Sequence, residues 1–142
     1  MAIFDISIGI DENLPLWPGD PELRLHWAAN IEQGDLVNLT ELSMSIHTGT
    51  HIDAPLHFLP NGKPFDSLSL SVFVGEAQVV AIPRDVNLIT VDILQDVCEI
   101  NATRILFKTI NSQLWEISTF QQDYVALEAS AAQWLVDQGV QL

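Results

Sequence analysis

Three of the chain's four histidines fall in one short stretch, HTGTHIDAPLHF, which runs from His47 to Phe58. His47, His51 and His57 share it with a single carboxylate, Asp53. Imidazoles and carboxylates bind divalent metals and move protons near neutral pH, so the spacing must decide which they do here. His47 and His51 stand four apart, which on a helix would put both on one face, as in zinc metalloproteases. A helix is disfavoured, because Thr48 and Thr50 are β-branched, Gly49 breaks helices and Pro55 holds Ala54 extended. The spacing instead predicts a tight turn at Gly49 that folds His51 back toward His47. Beyond that turn the chain is extended, so His51 and Asp53, two apart, share a face.

Two imidazoles and a carboxylate with an open position make the donor set of a catalytic zinc ion. Water in that open position has a pKa of about 7 and supplies hydroxide at neutral pH. Asp53 has two oxygens and can bridge a second ion. His57, held at a fixed reach by Pro55, falls beside this set and suits a proton shuttle for hydrolysis. Thr48 and Thr50 are expected to hold the turn with their hydroxyls. His26, on a predicted strand, is expected to be structural or merely exposed.

The elements that must position these residues read as two unlike halves. In the first, residues 2–8 and 23–29 read as strands. Between them, residues 11–23 hold three prolines and a glycine and read as a loop. Residues 36–46 alternate, with Leu42, Met44 and Ile46 on one face and Glu41, Ser43 and Ser45 on the other, which predicts a half-buried strand leading directly to His47. Residues 47–64 are a Pro/Gly-punctuated loop. In the second half, strands at 76–82 and 103–109 alternate with helices at 90–98 and 125–139. Thr90 is the expected N-cap of the first helix, Asp92 lies in its first turn, and Gly139 closes the second. This alternation predicts parallel βαβ units. The last three residues, VQL, read either as the opening of a further buried strand or as a short edge strand. On the first reading the polypeptide is truncated, and the helix face of Leu127, Ala131, Trp134 and Leu135 is left uncovered.

Composition narrows the function. A length of 142 residues and 48% hydrophobic content suit one domain with a sizeable core. The balance of 19 acidic to 5 basic residues, a net charge of −14, argues against nucleic-acid or membrane-surface partners. No apolar run is long enough to span a bilayer, and the N-terminus lacks the basic region of a signal peptide. A single cysteine, Cys98, gives no internal disulfide framework and fits a reducing compartment, with the cytoplasm as default.

The motif resembles the signature H-x-G-T-H-x-D-x-P-x-H of the cyclase family of metal-dependent hydrolases, which includes the bacterial kynurenine formamidases. DIS (5–7), PLWPGDP (15–21), RILFKTINSQLW (104–115) and EASAAQWLVDQGV (128–140) extend the likeness over essentially the whole chain. The resemblance implies an α/β (α+β) fold of the swivelling β/β/α type, a single domain over 1–142 that corresponds to about the N-terminal two thirds of the family domain. It implies a divalent metal, zinc in the formamidases and manganese in some relatives. His47, His51 and Asp53 match the family's metal ligands, with Asp53 bridging two ions, and His57 matches its acid/base. Trp17 matches a tryptophan of the substrate pocket. A ring in a Pro/Gly loop can stack on an aryl group, or it can anchor that loop to the core. The family's remaining ligands, a histidine and a glutamate, have no counterpart here: no histidine follows His57, and Glu128 does not match.

The resemblance therefore implies an amide hydrolase resembling arylformamidase, with N-formylkynurenine as leading substrate and a cyclic amide such as isatin as a sibling. The competing expectation is a shortened, inactive metal-binding fragment or assembly module. Assembly as a homodimer or higher homo-oligomer is implied as well.

Overall fold

The buried strands expected in the second half are where the core lies. The protein is described by a computed structural model, which covers residues 4–142. Strand β3 (Gln78–Ala81) pairs in parallel with β5 (Ile105–Lys108), and the two-residue strands β4 (Leu88–Ile89) and β6 (Ala126–Leu127) pair in parallel with each other. Helix α2 (Val91–Val97) connects β4 to β5, and α3 (Ala129–Asp137) follows β6. Val80, Ile82, Ile89, Leu94, Ile105, Val125, Ala131 and Leu135 form one buried cluster between these elements. This is the mixed α/β architecture that the alternation predicts.

Local signals set the helix boundaries. The Thr90 hydroxyl accepts the Ile93 N–H at 3.4 Å, as an N-cap does, and Asp92 sits in the first turn of α2. Gly139, at φ +87°, follows the C-cap Gln138 of α3. The helix expected from residue 125 begins four residues later. Val125 is buried, and the Glu128 N–H bonds the Ile89 carbonyl at 3.0 Å, so the pull of a second strand overrides the helix-favouring Ala126 and Leu127.

The helix face expected to be uncovered is covered in part: Ala131 is fully buried and Leu135 is 5% exposed, whereas Trp134 is half-buried against the core and Leu127 stays 38% exposed. The tail runs beside β5: the Gln141 and Leu142 N–H groups both reach the Thr103 carbonyl, and the Ile105 N–H reaches that of Leu142 at 2.8 Å.

The first half is built differently. Strands β1 (Arg24–Ala29) and β2 (Leu39–Ser43) form an antiparallel hairpin with a bulge between Trp27 and Ala29. Its register sets Leu25 opposite Leu42 on one face and His26 opposite Glu41 on the other. His26 Nε2 lies 3.3 Å from the Glu41 carboxylate, in the exposed role expected of it. The half-burial expected of 36–46 is met on the apolar face only at Met44; Leu42 is 48% and Ile46 82% exposed.

Residues 4–8 form no strand, and residues 2–3 lie outside the described residues. The N–H groups that would make a ladder are taken by side chains: that of Ser7 by the nearby Asp5 carboxylate and that of Ile8 by the distant Thr50 hydroxyl, both at 2.9 Å. The hydrogen bonds to Asp5 hold its carboxyl below the usual range. Arg104 ties the halves together. Its guanidinium donates to the carbonyls of Ser71 and Val72 in the short helix α1 (Leu70–Phe73), from the residue just before β5.

Leu94, fully buried in that cluster, is the natural probe of the core. Leu94→Ala is expected to lower unfolding free energy by about 2–5 kcal/mol. Urea titration should show the midpoint falling with the slope unchanged; a loss well under 1 kcal/mol would contradict this assignment of the core.

Candidate metal centre and cleft

The turn at Gly49 is present, at φ +69°. The left-handed region favours glycine, and the position is also crowded: an added Cβ would lie 3.3 Å from Ile8 Cγ2. Residues 8–14 thus lie against the turn while the Thr50 hydroxyl accepts the Ile8 N–H. Thr50 therefore fastens the N-terminal segment rather than the turn itself. Thr48 also departs from expectation, since it is buried and its hydroxyl has no partner among the described residues. A backbone turn at Ile46 and His47, closed by the Thr48 N–H on the Ser45 carbonyl at 3.1 Å, leads into Gly49.

The turn brings the expected residues together. Ligand atoms of His47, His51 and Asp53 all lie within 4.8 Å of one another. His47 Nδ1 is 2.9 Å from Asp53 Oδ1, and His51 Nε2 is 3.7 Å from the same oxygen. His51 Nδ1 is 2.9 Å from the Gly49 carbonyl. A carbonyl can only accept, so in the neutral ring this bond puts the proton on Nδ1 and turns the Nε2 lone pair toward Asp53, 3.7 Å away.

A cation satisfies that arrangement. Two ligands at about 2.1 Å on a tetrahedral ion stand roughly 3.4 Å apart, between the 2.9 and 3.7 Å at which the two imidazoles stand from Asp53 Oδ1. The side chains are 27%, 33% and 38% exposed for His47, His51 and Asp53, open enough for water or substrate to reach. The donor set therefore fits a divalent ion.

His57 is placed by a second backbone device. Pro55–His57 form a single 3-10 turn in which the Pro55 carbonyl accepts the N–H groups of Phe58 and Leu59. Gly62 closes the loop so tightly that a Cβ there would lie 2.5 Å from the Pro55 carbonyl group and 2.6 Å from the Leu56 nitrogen. The His57 ring consequently rests on His47, with centroids 4.2 Å apart and planes at 43°, outside the group of three converging donors.

These residues line a cleft of about 710 Å³. Trp17 lines it, 56% exposed, with Phe120 edge-on at 4.9 Å; it is a wall of the cleft and not a core anchor. Phe120 in turn meets Tyr124 edge-on at 6.1 Å. Asp20, Leu114, Trp115, Phe120 and Tyr124 line the cleft although sequence reasoning assigned them no role. The available signal was Trp115, Phe120 and Tyr124 crowded into a polar stretch with neither helix nor strand period. Asn111 anchors this wall: its side chain accepts the Val125 N–H at 2.7 Å and donates to the Val125 carbonyl at 2.9 Å.

Comparison with known proteins agrees with the motif. The profile of the family described as "Putative cyclase" matches residues 4–142. The chain belongs to the cyclase family. Among its relatives, the kynurenine formamidase of Salinibacter ruber is 35% identical over 143 residues, covering 100% of this chain and 67% of the relative. That of Erythrobacter litoralis is 34% identical over 144 residues, covering 99% and 63%. A solved structure described as a potential metal-dependent hydrolase with cyclase activity superposes with a TM-score of 0.75 at 28% identity, covering 96% of this chain and 63% of that one. The chain thus spans about two thirds, or somewhat less, of the length of these family members.

Gly62→Ala tests the loop that places His57. The substitution is expected to cost about 1–3 kcal/mol through overpacking against backbone. It should shift the His57 ring resonances in NMR spectra while those of Val80, Leu94 and Leu135 stay put. Unmoved His57 resonances would show that the close approach at Gly62 does not position that ring.

Proposed function

We propose that this cyclase-family chain is a metal-dependent hydrolase of an amide C–N bond, with N-formylkynurenine as leading substrate, giving kynurenine and formate in tryptophan breakdown. The observation that carries the reading is the convergence of His47, His51 and Asp53 beside the His57 ring in an aromatic-walled cleft. The kynurenine formamidases among its relatives supply the substrate class. A cyclic amide such as isatin needs the same chemistry and is the sibling substrate.

In this reading His47, His51 and Asp53 hold the ion, with zinc first and manganese second. When bound, such an ion supplies Lewis acidity toward the carbonyl oxygen and acidifies water. His57 moves the proton. It lies outside the donor set, so its nitrogens remain free to take a proton from the attacking water and return it to the leaving nitrogen. The water oxygen bonds to the formyl carbon, the C–N bond breaks, the amine leaves with the proton and formate remains. Trp17 stacks on the aryl ring.

Assembly as a homodimer or higher homo-oligomer accompanies this proposal, supported by the uncovered face of Leu25, Trp27 and Leu42 on the hairpin. A reducing, cytoplasmic setting suits the lone Cys98. No helix among the described residues is long and apolar enough to cross a membrane. A second reading, a metal-binding fragment without turnover, draws on the donor count: His47, His51 and Asp53 form the one such group among the described residues.

Two substitutions separate these readings. His57→Ala should keep the metal and lower formamide turnover by roughly 10²–10⁴-fold, the usual contribution of a positioned acid/base. His51→Ala should lose metal and turnover together, since it removes a donor. Metal analysis and formamide hydrolysis on both variants decide the matter. Loss of metal from His57→Ala makes His57 a ligand, and a parent chain that holds one metal yet hydrolyses nothing favours the fragment.

A further inference from the structure

One carboxylate in the cleft has no part in the reaction above. Asp20 lines the cleft and is half-buried. None of the ion pairs among the described residues involves it. Its backbone N–H bonds the Trp17 carbonyl at 3.0 Å, closing a tight turn that Gly19 makes possible at φ +98°. The Asp20 carboxylate and the Trp17 indole therefore belong to one turn, and both line the cleft. Phe120 holds the indole edge-on from across the chain. No lysine or arginine is among the residues that line the cleft.

These facts sort ligands by charge. An ammonium group carried on an aryl ring stacked against Trp17 meets the Asp20 carboxylate, which belongs to the same turn. A neutral group meets only the aromatic surface. In the metal-free cleft a carboxylate meets Asp20 and no lysine or arginine, on a protein of net charge −14. We propose that Asp20 and Trp17 form an ammonium-recognition turn, so that the cleft takes aryl amides bearing a cationic amine in preference to neutral ones and disfavours those bearing only a carboxylate. The inference rests on the reading of this cleft as the amide-binding site.

The test uses three formanilides of similar size, carrying a para aminoethyl, propyl or propanoate group. Their binding is measured by calorimetry on protein treated with EDTA, so that hydrolysis is not required, and their kcat/KM on metal-replete protein. The cationic compound should bind about tenfold or more tightly than the neutral one, the scale of one charge-assisted hydrogen bond, and the anionic compound most weakly. Asp20→Asn should abolish the preference, and Asp20→Glu should restore part of it. In the parent protein the preference should shrink as NaCl is raised, a readout independent of whether the variants fold.

Equal binding of all three compounds overturns the proposal, as does an order that survives Asp20→Asn or ignores salt. A charge preference in binding with no hydrolysis of any compound sinks the hydrolase reading and leaves this one standing. Hydrolysis without charge preference does the reverse.

Discussion

The positive φ at Gly49 is the constraint on which the site depends. It reverses the chain within one residue, which is what lets His51 face His47 from only four positions away. The same residue's carbonyl then accepts the His51 Nδ1 proton, so one glycine fixes both the direction of the chain and the tautomer of the ring. Its missing Cβ leaves room for Ile8, and Thr50 fastens that segment by its backbone. A side chain at this position would meet strain in φ and contact with Ile8 together, so the two demands reinforce each other.

The turn has to be rigid because its surroundings are not buried. The hydrophobic cluster is drawn from residues 80–135, whereas the donors lie at 47–53 in a half whose buried apolar residue is Leu23. Hydrophobic burial is non-directional and would in any case not aim an imidazole. The donor loop is therefore held by short-range devices: the Gly49 turn, the prolyl 3-10 turn at His57 and the close approach at Gly62. Links to the core are few and specific. Arg104 grips the carbonyls of α1, and Asn111 clips the wall segment to the buried Val125. Segments held by hydrogen bonds over little buried surface open before the core does, which places the cleft at the less stable end of the molecule.

The sequence was most legible where local chemistry decides the outcome. The Thr90 cap, the Gly139 stop and the parallel pairing of β3 with β5 follow from residue type and spacing, and so does the convergence of His47, His51 and Asp53. It misled where a distant segment competes. Residues 4–8 alternate like a strand, yet Thr50 and Asp5 take the N–H groups a ladder would need. Ala126 and Leu127 favour helix, yet β4 offers them backbone partners first. Leu42 lies on the predicted apolar face, but alternation marks which side is apolar, not whether anything lies against it. The aromatic wall was invisible for a related reason. Trp17 and Phe120 are brought together by the fold, and no spacing in the sequence encodes their contact.

The polar groups of the cleft differ in what they have left to give. Both ends of the Asn111 amide are spent on Val125, so a residue that reads as a hydrogen-bonding partner for substrate is instead part of the scaffold. The Gln121 amide nitrogen is occupied by the carbonyl and hydroxyl of Thr119. His51 Nδ1 is committed to Gly49. Each such bond lowers the freedom of the side chain that makes it and so holds the cleft in shape without a ligand. The chemistry toward ion and substrate is thereby narrowed to few groups: the donor atoms of His47, His51 and Asp53, the His57 ring, the Trp17 face and the Asp20 carboxylate. Their placement is a matter of backbone turns at Gly49, Pro55 and Gly19, in loops whose positions the core tolerates rather than dictates.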